Sequence, residues 1–518
     1  MKKLTIFLMF VFLLPLFAHG QTVLWSYKAN GSLWEHIRSI KNIDDVNNDG
    51  HQDVIAVSEN DTLYCLSGTD GTSIWKFTAG TCYLERGLIA VPDLDGDSTA
   101  DVVLATIWGT RSVFAISGAT GDTIWQYDTH EYGSGGWVYE VAPMSDMDGD
   151  SITDILASTG ADPDRAYLFS GKTGAKIWEN NLGYAVFGIR EIGDLNGDSI
   201  PDVAIGTGDS SPSTYNIFTL DGLNGNQLWN KGLQGAGWTT ITIGDLDGDN
   251  INDVIAGTMS GDITAFSGHN GSTIWTKNIG GTIVDLNTLS DINGNGADEL
   301  LPSGTTINNF YCIDGLTSIT LWSTPAPDQV FTSVRIPDIT GDGKDDVACG
   351  TGYNTNVFFV LDGATGDTIW YKNMSGPVES CWWIEDIDGN GYPDILVGTR
   401  DGWIYALADG NVSIKEKNVN LTHNEKHPPI FITLYPNPLV RATEIHYTIP
   451  EDGNVKLTVY DVSGQKIKTI TNTFMEKGEH TIHWYGTDFK NRIVPAGTYF
   501  CRIDINRKIV STKMIILK

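Results

Sequence analysis

The sequence predicts an all-β protein: an eight-bladed β-propeller closed by an N-terminal strand, followed by a small Ig-like β-sandwich. Three observations carry this expectation. A nine-residue acidic loop recurs eight times, at steps of 46 to 53 residues, the length of one four-stranded blade. A strand, a Gly-containing turn and a strand ending in Trp follow every loop but the last. The missing Trp strand stands at the other end, in TVLWSY before the first loop. A first strand that completes the last blade closes a ring, whereas an open superhelical array needs no displaced strand.

Residues 1–20, MKKLTIFLMFVFLLPLFAHG, give a basic start, a short apolar run and small residues at Ala18 and Gly20. This reads as a secretory signal peptide cleaved before Gln21. Beyond it no apolar run is long enough to cross a bilayer, so the mature chain is expected outside the cytoplasm with no transmembrane segment. The 518 residues include 33 basic and 64 acidic ones, a net charge of −31. Such a chain repels phosphate backbones and anionic lipid, which excludes nucleic acid as a partner. Six cysteines (Cys65, Cys82, Cys312, Cys349, Cys381 and Cys501) form no metal-site pattern, and their spacing selects no pairing.

Residues 21–412 hold the repeats. The loops read DVNNDGHQD, DLDGDSTAD, DMDGDSITD, DLNGDSIPD, DLDGDNIND, DINGNGADE, DITGDGKDD and DIDGNGYPD. Each precedes a β-branched run such as DVIAV or DVVLAT, the pattern of a buried strand. The second element, as in FAISGATGDTIW, has two glycines, Gly118 and Gly121, expected to supply the positive φ of a tight hairpin. Its tryptophans (Trp75, Trp125, Trp178, Trp229, Trp275, Trp322 and Trp370, with Trp25 as the displaced eighth) recur at a fixed place, which marks them as packing between blades.

Oxygen side chains occupy loop positions 1, 3, 5 and 9. They are Asp45, Asn47, Asp49 and Asp53; Asp93, Asp95, Asp97 and Asp101; Asp146, Asp148, Asp150 and Asp154; and Asp194, Asn196, Asp198 and Asp202. The second half of the chain supplies Asp245, Asp247, Asp249 and Asp253; Asp291, Asn293, Asn295 and Glu299; Asp338, Thr340, Asp342 and Asp346; and Asp386, Asp388, Asn390 and Asp394. Alternate oxygens in a tight turn, with a carbonyl from position 7, suit Ca²⁺, which takes six to eight hard ligands with flexible geometry. Turn formation by Asp, Asn and Gly explains one such loop but is not expected to repeat acidic residues at four fixed positions. Up to eight structural calcium ions are therefore expected, with the sixth and seventh loops the weakest.

These loops resemble the calcium-binding FG-GAP or VCBS-type repeats of integrin-like propellers. The SGATGDTIW elements resemble the PQQ-like repeat of quinoprotein-type propellers and outer-membrane assembly lipoproteins. Together the two resemblances cover about residues 21–412. The quinoprotein resemblance implies an adjacent cysteine pair beside a quinone, and no two cysteines here are adjacent, which disfavours a quinone-dependent dehydrogenase.

Residues 413–429 (SIKEKNVNLTHNEKHPP) read as a polar linker, and 430–518 as the sandwich, with alternating strands such as VKLTVYDV and TIHWYG. YPNP (Tyr435–Pro438), VYDVSG (Val459–Gly464), PAGTY (Pro495–Tyr499) and the final KMIILK resemble the C-terminal sorting domain of type IX secretion cargo, related to FlgD-like Ig domains. That resemblance implies the type IX secretion machinery as a partner and a secreted or cell-surface destination.

No nucleophile elbow, zinc-type histidine pair or phosphate loop is present. In an integrin-like arrangement the ligand face lies opposite the calcium loops, on the connections between blades. Those connections supply Trp34, Arg38, Tyr83, Arg86, Trp137, Trp238, Trp382 and Trp383 as candidate ligand-binding residues, with Glu35, Glu85, Glu140, Arg190 and Glu379 among them. Aromatic faces mixed with carboxylates and guanidinium groups suit a glycan or a protein ligand; the competing role is to plug the ring. The reading favoured is a non-catalytic binding or adhesion module. The enzyme alternative is a polysaccharide lyase of the rhamnogalacturonan-lyase kind, using Arg38 or Arg86 with His36.

Overall fold

The computed structural model describes residues 22–29, 35–162, 164–209, 211–409, 431–435, 439, 442–449, 452–461, 466–490, 492–505 and 508–517. The expected export segment 1–20, the linker 413–429 and Trp34 lie outside them. The chain divides into two compact units, within residues 1–414 and 415–518. Both are built from strands, and among the described residues no helix is long and apolar enough to cross a membrane.

The first unit contains eight four-stranded antiparallel sheets. Sheet 1 is Ile37–Ile43, Asp53–Ser58, Thr62–Leu66 and Ser73–Thr78. The next six follow in sequence order from Leu88 to Asn373. Sheet 8 takes Val378–Ile384, Asp394–Thr399 and Trp403–Leu407 from the end of the unit and completes itself with Val23–Lys28, antiparallel to Trp403–Leu407. The first strand of sheet 8 also packs on that of sheet 1, and one apolar cluster runs through Trp25, Ile40, Tyr64, Ile384, Leu396 and Ile404. The displaced strand therefore does what its Trp pattern predicted.

In seven of the eight sheets the second strand is the most buried, and in sheet 2 the third, Ser112–Ile116, equals it. Asp53–Ser58, Asp101–Ala105, Asp154–Gly160 and Asp394–Thr399 are buried along their whole length. That explains their unbroken β-branched runs, which bury both faces of the strand. The fourth strand carries a one-residue bulge before its Trp in all seven sequential sheets with such a hairpin, as between Ala115 and Ile116 opposite Trp125 and Thr123. The bulge turns the indole towards the following sheet.

The two hairpin glycines have different reasons. Gly121 is left-handed (φ +76°), and a Cβ there would come within 2.7 Å of the Trp75 ring. Gly118 has no positive φ, contrary to the expectation from sequence; a Cβ there would lie 1.9 Å from the Ala100 carbonyl oxygen. The first glycine permits a close backbone approach and only the second permits the turn. Gly68, Gly171, Gly222, Gly268 and Gly363 meet the same obstacle, the carbonyl of loop position 8.

The second unit pairs a three-stranded sheet (Phe431–Tyr435, Thr443–Ile449, Gly478–Trp484) with a four-stranded one ordered Lys466–Met475, Gly453–Asp461, Gly497–Ile505, Lys508–Ile516. Both contribute to one core that includes Ile445, Tyr447, Leu457, Val459, Trp484 and Ile503. All six cysteines are buried and none is disulfide-bonded; burial pushes the Cys82 and Cys501 thiols up to about 12.

Candidate functional site

The acidic loops join the first and second strands of each sheet, on the same side as the glycine hairpins. Their side chains form a repeated ladder. In the third loop the Asp146 carboxylate accepts the N–H groups of Gly149 (2.7 Å) and Ser151 (2.8 Å), and Asp148 accepts that of Asp150 (3.2 Å). Asp150 accepts that of Ile152 (2.9 Å), and Asp154 that of Met147 (2.7 Å). Positions 4 and 6 are left-handed in every loop, as at Gly149 (φ +83°) and Ser151 (φ +71°). Each of the four oxygen positions therefore has a backbone partner, and turn formation does recur at all four. That corrects the sequence argument on this point.

What turn formation does not require is charge, since Asn accepts an N–H equally well. Yet in four loops three carboxylates converge: Asp93, Asp95 and Asp101; Asp146, Asp148 and Asp154; Asp245, Asp247 and Asp253; Asp386, Asp388 and Asp394. In each set one oxygen per residue lies within 4.8 Å of the others. Position 5 is not part of these sets, and in the first loop Asn47 Nδ2 instead bridges Asp49 (3.1 Å) and Asp53 (3.2 Å). The charges divide by environment. The N–H of Ser151, then those of Gly149 and Asp150, hold Asp146 below the ordinary carboxylate range. Burial pushes Asp101, Asp154, Asp202, Asp346 and Asp394 up to about 6, and Glu299 up to about 7.

Position 9 has a second task. Asp101 accepts the N–H of Gly118 (2.9 Å), the first hairpin glycine of its own sheet, whose carbonyl accepts the indole N–H of Trp75 from the preceding sheet (2.7 Å). The same pair of bonds joins Trp125, Gly171 and Asp154, and Trp178, Gly222 and Asp202. The acidic loop is thus tied through one glycine residue to the neighbouring sheet.

On the opposite side lie the connections between sheets, where the candidate ligand residues were expected. The connection from sheet 1 to sheet 2 enters the centre of the ring as a short 3₁₀ turn, Glu85–Gly87. Arg86 is 6% exposed; it pairs with Glu140 (2.5 Å) and Asp285 (3.5 Å) and donates to the carbonyls of Trp238 (2.8 Å) and Val284 (3.2 Å). Glu85 reaches the other way, to Lys41 (3.0 Å) and Thr332 (3.3 Å). Arg86 is therefore a plug held by three other chain segments and offers no free donor pair to a ligand. Arg190 completes the neutralisation of Glu140 (3.0 Å), whose carboxyl burial pushes upward.

The other candidates separate. Trp382 and Trp383 pack in the clusters that join the first and last sheets to their neighbours; Lys41 sits 3.7 Å from the Trp382 ring centre and Trp382 donates to Asn42 (2.9 Å). Trp238 stacks on Phe187 at 4.4 Å, and its indole N–H meets no acceptor among the described residues. Arg38 pairs with Glu59 (2.7 Å) and Glu379 (2.8 Å), and Glu379 also binds Arg400. Of the groups the lyase reading would use, Arg38 and Arg86 are ion-paired and His36 Nδ1 lies 3.1 Å from Glu59.

Tyr83 remains exposed and Trp137 half-buried, joined by a residue that sequence reasoning missed. Trp108 is 46% exposed, 6.1 Å from the Tyr83 ring centre and 5.9 Å from that of Trp137. It lies in the turn between the second and third strands of sheet 2, outside the inter-blade connections. Arg38, Glu59, Thr81, Tyr83 and Trp108 line a cavity of about 470 Å³. A second, of about 240 Å³, shares Arg38 and Tyr83 and extends to Trp238, Met259 and Phe331.

Comparison with known proteins follows the two units. Residues 23–209 and 153–296 match the family model of the outer membrane protein assembly factor BamB, and residues 433–518 match the secretion system C-terminal sorting domain. FAM234B of Gallus gallus is 29% identical over 149 residues, 26% of this chain and 23% of that relative's length. Among solved structures, Sqt1 of Saccharomyces cerevisiae is similar in fold at 12% identity, covering 75% of this chain and 100% of its own, with a TM-score of 0.56. BamB of Moraxella catarrhalis aligns at 17% identity over 75% and 99%, with a TM-score of 0.46.

Proposed function

Because the chain belongs to the family of BamB-type repeat propellers and ends in a secretion-system C-terminal sorting domain, we propose that it is a calcium-stabilised binding module, without catalytic turnover, carried on an eight-bladed ring. The sorting domain directs it through type IX secretion to the cell surface or the extracellular space. In this reading the eight sheets are the blades of residues 21–412, and residues 413–429 link them to an Ig-like sandwich over 430–518. Calcium is held best in the second, third, fifth and eighth loops, where the position 1, 3 and 9 carboxylates converge, neutralising charges that the turn itself does not need.

One observation carries the binding role: Tyr83 and Trp108 stand exposed beside a channel in which Arg38, Arg86 and Arg400 are ion-paired with Glu379 and Glu140. Large exposed aromatics next to a concave surface mark recognition, and a plug built from matched ion pairs leaves no poised proton donor or acceptor.

The test uses the purified full chain on arrays of immobilised glycans and peptides. The expected result is retention of a ligand that is released chemically unchanged, lost in the Tyr83→Ala, Trp108→Ala double variant and kept in Asp148→Asn. Conversion of the ligand to product, or retention indifferent to the double variant, would overturn the proposal.

A further inference from the structure

We propose that the ligand of the Tyr83–Trp108 cavity is an uncharged saccharide, a claim that rests on the binding role just proposed and narrows it to one chemical class. The cavity has two aromatic walls. The Tyr83 and Trp108 rings meet at 67°, and Trp137 packs edge-on behind Trp108 at 78°, which fixes the orientation of the indole. An angled pair of rings with one polar side matches a pyranose, which presents C–H groups on its faces and hydroxyls around its rim.

The polar side is supplied by Thr81, Arg38 and Glu59. The Thr81 hydroxyl donates to Asp61 (2.5 Å), so its oxygen is left as an acceptor. Arg38 uses its Nε and both terminal nitrogens on Glu59 and Glu379, and each terminal nitrogen keeps a second N–H. Glu59 sits beside it with spare lone pairs. A donor next to an acceptor is what a pair of vicinal hydroxyls needs.

Charge decides against acidic sugars. Arg38 and Arg400 face Glu59 and Glu379, so the cations of this cluster are matched one for one. A uronate or sulfate brought here would meet two carboxylates and no unmatched guanidinium. The backbone decides against an extended peptide: Gly80–Thr81 is already paired with Trp108–Gly109 as a two-residue ribbon, which occupies the edge that strand addition would use. The ribbon is held in an uncommon conformation, with Gly80 at φ +128° and a Cβ there only 2.5 Å from the Trp108 carbonyl oxygen, so the presentation of Trp108 is built into the chain. Arg38, 5.0 Å from the Tyr83 ring centre, forms the partition to the second cavity, where the next sugar unit of a chain would lie.

The test titrates the full chain with hexasaccharides of β-1,4-glucan, β-1,3-glucan, β-1,4-xylan, β-1,4-mannan and α-1,4-glucan, and with α-1,4-galacturonan, by calorimetry and tryptophan fluorescence. At least one neutral hexasaccharide is expected to bind, the galacturonan at least tenfold more weakly. Trp108→Ala should weaken binding at least tenfold with an unchanged unfolding midpoint, and Trp108→Phe should restore most of it. Silence of every neutral sugar, preference for the galacturonan, or indifference to Trp108→Ala would each overturn the proposal. If the saccharides fail but a peptide is retained on an array in a Trp108-dependent way, the saccharide claim falls and the binding face stands. Silence on both brings down both.

Discussion

The indole N–H of Trp370 ends on the side-chain carboxylate of Asp409, 3.1 Å away, whereas the seven other tryptophans of the series end on a glycine carbonyl. The last sheet has no Trp hairpin of its own, so Asp409 stands where the others have a glycine, and its N–H still reaches the loop residue Asp394 (3.2 Å).

This substitution has a pH signature. Burial pushes the Asp409 carboxyl up to about 7 from 3.8. A raised value means that the stability gained from its proton is complete below 3.8 and is lost as the pH rises through about 7. Asp409→Asn keeps an acceptor for the indole and cannot ionise. In chelator, its unfolding midpoint should match that of the native protein at pH 4 and exceed it at pH 8. Equal midpoints at both would contradict the burial account.

The two reasons for glycine predict two different costs. At Gly171 a Cβ would lie 1.8 Å from the Thr153 carbonyl oxygen, backbone that cannot swing aside, so Gly171→Ala should cost about 3 kcal/mol or more. Gly183 is left-handed (φ +71°) but faces open space, and Gly183→Ala should cost about 1 kcal/mol. Urea unfolding of the two variants separates them, and a reversed order would refute the close-approach explanation.

Asp148→Asn separates the turn role from the metal role. The amide oxygen still accepts the Asp150 N–H that Asp148 takes at 3.2 Å, while one of three converging carboxylates loses its charge. With EGTA the variant should be as stable as the native chain or more so, because repulsion is relieved. With calcium it should be less stable, since each filled site contributes about 2.7 kcal/mol at a hundredfold excess over Kd. Identical midpoints in calcium and EGTA for both proteins would mean that the loops are turns alone.

The plug is a buried ion-pair network. Glu140 is fully buried against Arg86 and Arg190, so Glu140→Gln should destabilise the chain by about 3 kcal/mol. Arg86→Met should do similar damage, and the double variant should lose clearly less than the two single losses combined. Additive losses in a double-mutant cycle would show that the two groups act independently.

How far the sequence disclosed this structure follows from what repeats. The acidic loops, the tryptophans and the closing strand were legible because each recurs at a nearly fixed offset. So was the tie between position 9 and the first hairpin glycine, in principle: Asp101 and Gly118 are 17 residues apart, as are Asp154 and Gly171. The channel side was not legible. Arg86 finds its partners 54, 152 and 198 residues away, and no periodicity reports a contact made once. Its Arg-and-Glu surroundings read as a ligand face because pairing and recognition use the same residue types. Trp108 was missed because it occupies a turn between the second and third strands, where other sheets place different residues.

The closing strand also sets the order in which the molecule can be made. Seven sheets form from contiguous chain, but the eighth joins Lys28 to the carbonyl of Asp401, 373 residues further on. Bringing such distant segments together costs about 5 kcal/mol of chain entropy, and no part of that is recovered until both ends are present. The ring therefore cannot close before Trp403–Leu407 has been made. A circularly permuted chain that begins near residue 35 and appends Val23–Lys28 after Leu407 would turn that strand pairing into a local hairpin, leaving the packing of sheet 8 on sheet 1, whose Ser380 and Ile37 are 343 residues apart, as the long-range step of closure.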